Sequence, residues 1–209
     1  MSQLAIELAV AGATVGALHA LAPDHWLPIA AVSRARGWSL ARTGRVALLC
    51  GIGHVTVSAL LGVLALVSGT AVVEALGART GAVASVLLIG FGAAYGLWGL
   101  RRLAHRHAHA HVDHDPSRTT TWTLFAIYCA DPCIAVVPIV FAAASLSRAA
   151  TVAIVLVYEL ATIVTMVALA VAARAGAQRV RGRWVERYGD ATAGGMIVAT
   201  GVLVALLGW

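Results

Sequence analysis

The chain contains no lysine, and charged residues of every kind make up only 11% of its 209 positions. So small a supply cannot cover a globule of this size in water, which excludes a soluble globular domain. Cysteine is scarce too. Cys50, Cys129 and Cys133 form no disulfide framework, and within apolar segments they read as small packing residues. No Lys or Arg precedes the first apolar run, so the positive n-region of a cleavable signal peptide is missing and the first helix is expected to be retained. Absent as well are a nucleophile-base-oxyanion arrangement and a phosphate loop. Neither acyl transfer nor ATP hydrolysis is expected, and the chain does not read as an enzyme with a resident cofactor. Any driving force must then come from an ion gradient, the membrane potential or a partner protein.

What is present is apolar: 60% of the residues are hydrophobic and the mean hydropathy is +0.87. Each membrane crossing needs about 20 apolar residues. Six stretches qualify, at 4–32, 46–68, 82–100, 121–146, 152–173 and 191–209. They predict an all-α, multi-pass membrane protein of six transmembrane helices, with the lipid bilayer as its main partner and little chain left for a soluble domain.

A net charge of +6 and a pI near 10 raise the question of nucleic acid. The arginines answer it by their positions. Arg34, Arg36, Arg42 and Arg45 follow the first span; Arg101, Arg102, Arg106 and Arg118 flank the third loop; Arg174, Arg179, Arg181, Arg183 and Arg187 fill the fifth. The other two loops hold only Arg79 and Arg148. Under the positive-inside rule the three basic loops are cytoplasmic, so both termini are expected outside the cell membrane, and no nucleic-acid role is expected. Trp184 and Tyr188 suit an interfacial belt, with anionic lipid as a neighbour.

The halves echo each other. Pro28-Ile-Ala-Ala-Val-Ser-Arg, late in the first span, has a loose counterpart in Pro138-Ile-Val-Phe-Ala-Ala-Ala-Ser-Leu-Ser-Arg. Gly-rich spans at 88–99 and 197–208 also match. Three helices per copy is an odd number, so the second copy enters the membrane upside down, which gives a 3+3 inverted repeat. The expected organisation is a first repeat over 1–101, a His-rich cytoplasmic loop over 102–118 and a second repeat over 119–209, forming one membrane domain. Inverted repeats with interrupted helices mark transporters, with the substrate site near mid-membrane at their interface.

Inside the first span lie His19, Asp24 and His25, within Leu18-His19-Ala-Leu-Ala-Pro23-Asp24-His25-Trp-Leu-Pro28. An Asp at the bilayer centre costs on the order of 2.5 to 3.5 kcal/mol, so such a cluster asks for a compensating partner. A metal cation suits two imidazoles and a carboxylate. On an unbroken helix His19 and His25 stand about 9 Å apart along the axis, too far to share one small ion. Pro23 and Pro28 cannot donate to the carbonyls of His19 and Asp24, however, and an unwound turn there would let the side chains converge. The alternative is a Pro-kinked helix whose polar groups merely face the interface.

In the second span His54 sits within Gly51-Ile-Gly53-His54-Val-Thr56. By itself it is equally a ligand or an interhelical hydrogen bonder. In the second half Cys129-Ala-Asp131-Pro132-Cys133 corresponds to the first motif, and Tyr158-Glu159-Leu-Ala-Thr162 to the segment round His54. Asp131 and Glu159 are therefore candidates for the same site, or for a proton path that drives it.

His19-Ala-Leu-Ala-Pro-Asp24-His25 resembles the H-x4-D-H signature of the nickel/cobalt transporters of the NiCoT and NicO type, and Gly53-His54-Val-Thr56-Val resembles their next motif. This resemblance, close over the first two spans only, implies that His19, Asp24, His25 and His54 select and move Ni²⁺ or Co²⁺. The family's later F-D-[TS]-A-[TS]-E motif is not intact: order points to Asp131 and local wording to Glu159. Leu18 stands where the family has Arg.

Between the halves, His105, His107, His109, His111 and His114 alternate with small and polar residues. Neutral imidazole is the commonest metal ligand, and so polar a tract has nothing to pack. The segment reads as an auxiliary metal-binding loop that buffers or senses the ion. Two other functions compete: a membrane thiol-disulfide oxidoreductase using Cys50, Cys129 and Cys133, and a metal-sensing accessory protein. A dithiol carrier would want a cysteine in the first span, where this chain has Asp24-His25; a sensor leaves Asp131 and Glu159 unexplained.

Overall fold

A computed structural model describes residues 2–104, 116–131, 135–179 and 183–207, and every regular element among them is helical. The order is α1 (Gln3–His19), α2 (Pro23–Ala35), α3 (Leu40–Ser68), α4 (Thr70–Ala104), α5 (Pro116–Ala130), α6 (Val136–Ala144), α7 (Arg148–Ala177) and α8 (Arg183–Leu207). Serine hydroxyls cap three of them. Ser2, Ser39 and Ser147 accept from the backbone N–H groups of Ala5, Arg42 and Ala150, each satisfying one of the orphan donors at a helix start.

Among the described residues, α3, α7 and the Arg187–Leu207 part of α8 are each long and apolar enough to cross a membrane. The α1 and α2 pair, bent by 48°, makes a fourth candidate. The expected span at 82–100 falls in α4, where the apolar helix runs Ser85–Arg101. That at 121–146 corresponds to α5 and α6, two shorter helices on either side of residues 132–134. An all-helical protein with three or four candidate crossings is therefore what the fold displays.

Close packing comes from glycine. A Cβ on Gly194 of α8 would lie 2.5 Å from the Gly96 Cα of α4, and one on Gly92 would lie 2.7 Å from the Val198 nitrogen. Gly16 of α1 likewise meets α7, where a Cβ would come within 2.6 Å of the Tyr158 carbonyl. Without a hydrophobic drive between apolar helices, such backbone approach is what gains dispersion energy. The α1–α7, α3–α7, α2–α8 and α4–α8 contacts enclose a core that includes Ile29, Val32, Cys50, Tyr128, Met166 and Ile197.

One end of the bundle gathers the arginine-rich segments. Arg36, just past α2, donates to the Tyr95 hydroxyl at 2.9 Å and the Thr120 hydroxyl at 3.2 Å, and its guanidinium lies 4.4 Å from the Trp98 ring centroid. Tyr95 in turn donates to Asp190 at 2.8 Å. Arg174 donates to the Trp38 carbonyl at 2.9 Å. These links tie the segments after α2, at the ends of α4 and α7 and at the starts of α5 and α8 into one face. His25 lies eleven residues before Arg36, about 16 Å along a helix, which is half of a hydrocarbon core about 30 Å thick.

Candidate metal centre

The first span breaks where its prolines forbid an unbroken ladder. α1 ends at His19, residues 20–22 turn, and Pro23 opens α2 at a first-turn position where its missing N–H costs nothing. The turn is tied locally: Ala22 N–H donates to the His19 carbonyl at 3.1 Å, and the Trp26 indole to the Leu21 carbonyl at 3.1 Å. Asp24 and His25 thereby fall in the first turn of α2, where a carboxylate meets the positive end of the helix dipole. The unwinding is confined to three residues N-terminal to the Asp-His pair.

This bend brings His19 beside His25, with ring centroids 4.3 Å apart. From α3, His54 completes the group, at 5.1 Å from His25 and 6.2 Å from His19. One ring nitrogen from each of the three lies within 4.8 Å of the other two. Donors on a triangle of that edge stand at most about 2.8 Å from its centre, whereas an imidazole-metal bond is about 2.0 to 2.1 Å for zinc. Less than an ångström of inward movement per ring would close the site.

Hydrogen bonds assign the protonated nitrogen on two of the rings. His25 Nδ1 lies 3.1 Å from Asp24 Oδ1, so its proton is assigned there and the Nε2 lone pair is left over. Nδ1 of His54 makes a long hydrogen bond of 3.4 Å to the Tyr128 carbonyl, with the same consequence for its Nε2. The Nε2 atoms of His19, His25 and His54 are all buried and without a hydrogen-bond partner. Leaving a buried polar atom unsatisfied costs about 1 to 3 kcal/mol. Three of them on rings that cluster this closely are what a cation would compensate.

Asp24 is thus found behind His25 and not among the three converging nitrogens. The arrangement is that of a carboxylate orienting a metal-binding imidazole and raising its basicity. Asp131, at the end of α5, is within electrostatic reach of both Asp24 and His25. Glu159 is half-buried on α7, and no described cluster of three or more potential ligands includes it. Cys50 and Cys129 are free thiols; Cys133 lies outside the described residues, as do His105, His107, His109, His111 and His114.

Tyr128 belongs to the site although no motif points to it. Its hydroxyl, wholly inside the bundle, lies 3.0 Å from the Asp24 carbonyl and 2.9 Å from that of His25, the first of which Pro28 leaves without a helical donor. The same residue's carbonyl meets His54, so Tyr128 joins both halves of the cluster through α5. Nothing in the sequence marks it beyond its place directly before Cys129-Ala-Asp131-Pro132-Cys133, which says nothing of its partners. Tyr128→Phe is expected to lower thermal stability by about 1 to 3 kcal/mol, since a buried carbonyl loses its donor, and to weaken metal binding by loosening α2. Thermal melts of the purified protein with and without Ni²⁺ check both effects.

Comparison with family models, curated proteins and solved structures finds no match for this chain. What fold and site define is a class by geometry: an all-helical protein, with helices able to cross a membrane, built round a buried three-histidine cluster at a helix break.

Proposed function

We propose that the protein carries a divalent transition-metal cation, Ni²⁺ or Co²⁺, across the cell membrane through His19, His25 and His54. The observation that carries this function is the set of three buried, unpartnered Nε2 atoms at the bend of a candidate span. Imidazole donors with a supporting carboxylate suit borderline first-row ions and disfavour Cu(I), which prefers sulfur. The depth of His25, about half the hydrocarbon thickness from the Arg36 end, fits an alternating-access site. The metal is cargo, and the protein a carrier with no enzymatic step.

The 3+3 organisation belongs to this proposal and draws support from helix pairing. If α1–α2, α3 and α4 correspond to α5–α6, α7 and α8, then α3–α7 and α4–α8 are contacts between equivalents, and α1–α7 is mirrored by contacts of α3 with α5 and α6. Asp131 at the second break is then the counterpart of the Asp24 region, and Glu159 is left to a proton path along α7. The histidines over 105–114 would act as an accessory chelator at the cytoplasmic face, with both chain termini outside.

Deleting residues 105–114 is expected to change apparent affinity or regulation while transport continues. Purified protein lacking that segment should bind Ni²⁺ or Co²⁺, and less strongly as pH falls, because each imidazole that takes up a proton loses its ligating lone pair. Metal accumulation in cells against export-dependent tolerance, with and without the gene, gives the direction. Were the deleted protein to bind neither ion yet pass reducing equivalents through Cys129 or Cys133, a redox carrier would replace the metal carrier.

A further inference from the structure

Between the histidines and the arginine-rich end the bundle is closed twice. Ile29 and Val32, four and seven residues past His25 on α2, share one buried apolar cluster with Cys50 of α3 and Leu124 of α5, each no more than 1% exposed. Beyond that layer lies Arg36. Its Nε donates to the Tyr95 hydroxyl at 2.9 Å and its Nη2 to the Thr120 hydroxyl at 3.2 Å, while the guanidinium lies over the Trp98 ring, 4.4 Å from its centroid. One side chain thereby joins the end of α2 to α4 and α5.

Tyr95 is fixed from behind. Its hydroxyl donates to Asp190 of α8 at 2.8 Å and keeps its lone pairs for Arg36, and α4 packs so closely on α8 that a Cβ on Gly99 would lie 2.6 Å from the Asp190 Cβ. The α4–α8 pair is a rigid post. By contrast α2 joins α1 through the turn at 20–22 with a 48° bend, and its outer face borders a cavity of about 420 Å³ against α7 and α8, walled in part by Ala30, Ala173, Ala177 and Ala193. Ser33 of α2 is hydrogen-bonded to Thr43 of α3, so the two helices turn as one corner. Arg174 of α7 holds that corner at the Trp38 carbonyl, which leaves the direction toward α7 and away from α5 as the free one. The 13 residues of α2 span about 20 Å, so a swing of about 15° at the bend would carry Arg36 about 5 Å, out of reach of Tyr95.

We infer that the α2–α3 corner is a gate at the arginine-rich end and that Arg36 is its latch, an inference that rests on the carrier function proposed above. Latched, the corner shuts the three histidines off from that end. Released, it swings toward α7, parts from Leu124 and opens the metal site to one side. The bonds of Arg36 to Tyr95 and Thr120 exist only in the closed form, whereas the Tyr95 bond to Asp190 lies within the post and persists in both. Bonds unique to one form set the balance between the two.

Cys50, buried behind the latch, is the reporter. In membrane vesicles holding the full-length protein with Cys129→Ser and Cys133→Ser, labelling of Cys50 by a membrane-impermeant maleimide reads the open population with no metal present. A protein whose sole cysteine replaces the exposed Ala41, at the start of α3, identifies the vesicle orientation in which the arginine-rich end meets the reagent. In that orientation Tyr95→Phe, which keeps the ring, should speed Cys50 labelling about tenfold, the worth of a hydrogen bond to a charged group. Thr120→Val should speed it by a smaller factor, and it covers the case in which the Tyr95 variant fails to fold. Neither should speed labelling from the opposite side. Unchanged labelling in both variants, or an equal rise from both sides as a loosened bundle would give, would overturn the latch. Ni²⁺ uptake by the same vesicles keeps the two conclusions apart. Faster labelling without any Ni²⁺ uptake by the parent protein would support the latch and overturn the carrier; uptake with unchanged labelling would overturn the latch alone.

Discussion

His54→Ala is expected to bring Ni²⁺ transport to background in proteoliposomes while the protein still folds. The imidazole supplies one of three converging nitrogens, and a cation stripped of water in a low-dielectric passage has no substitute for a lost ligand. The loss should exceed the roughly 10- to 100-fold that removal of an outer-sphere partner costs. The fold bears a cavity where this buried ring stood, so a thermal melt accompanies the transport assay. The one hydrogen bond of the His54 ring is a long 3.4 Å, and its Nε2 makes none, so alanine removes an unsatisfied buried atom along with the ring. His54 is also the most discriminating choice, since it alone reaches the cluster from α3. Normal transport by this variant would reduce the site to the α1–α2 break and reject the shared centre.

Asp24→Ala is expected to abolish transport as well, and Asp24→Asn to separate the reasons. An asparagine retains an oxygen that can accept from His25 Nδ1 but removes the negative charge that makes the opposite Nε2 a better donor to metal. The expected result is a 10- to 100-fold weaker Ni²⁺ affinity, with the fall in affinity displaced to lower pH than in the wild type, because an imidazole without its carboxylate is less basic toward protons as well as toward metal. Titration with Ni²⁺ across a pH series reads both quantities. A purely structural role for Asp24 would lower the melting temperature and leave that pH profile in place. Unchanged affinity in Asp24→Asn would remove the carboxylate from the metal centre altogether.

The polar cluster was legible because its surroundings are not polar: His19, Asp24 and His25 interrupt an apolar run, and Pro23 and Pro28 mark the break by local stereochemistry. His54 was legible only as an isolated imidazole with two equal explanations. Tyr128 was not legible at all, for a tyrosine in an apolar segment gives no sign of which carbonyls its hydroxyl will meet. The choice between Asp131 and Glu159 was likewise beyond the sequence. The described ligand cluster includes neither residue, though Asp131 is within electrostatic reach of His25.

Composition and hydropathy by themselves determined that this chain is helical and suited to a membrane, since transfer energies and backbone satisfaction act segment by segment. Proline by itself determined where the first span fails. Only the tertiary structure decided that Asp24 stands behind His25, that His54 joins His19 and His25 in one cluster, and that α5 supplies the clamp on α2. The physical reason is register. Apolar helices made of Ala, Gly, Leu and Val can slide and rotate past one another with little change in buried area. Their alignment is set by a few backbone contacts, such as Gly16 on Tyr158 and Gly194 on Gly96, whose partners are distant in sequence.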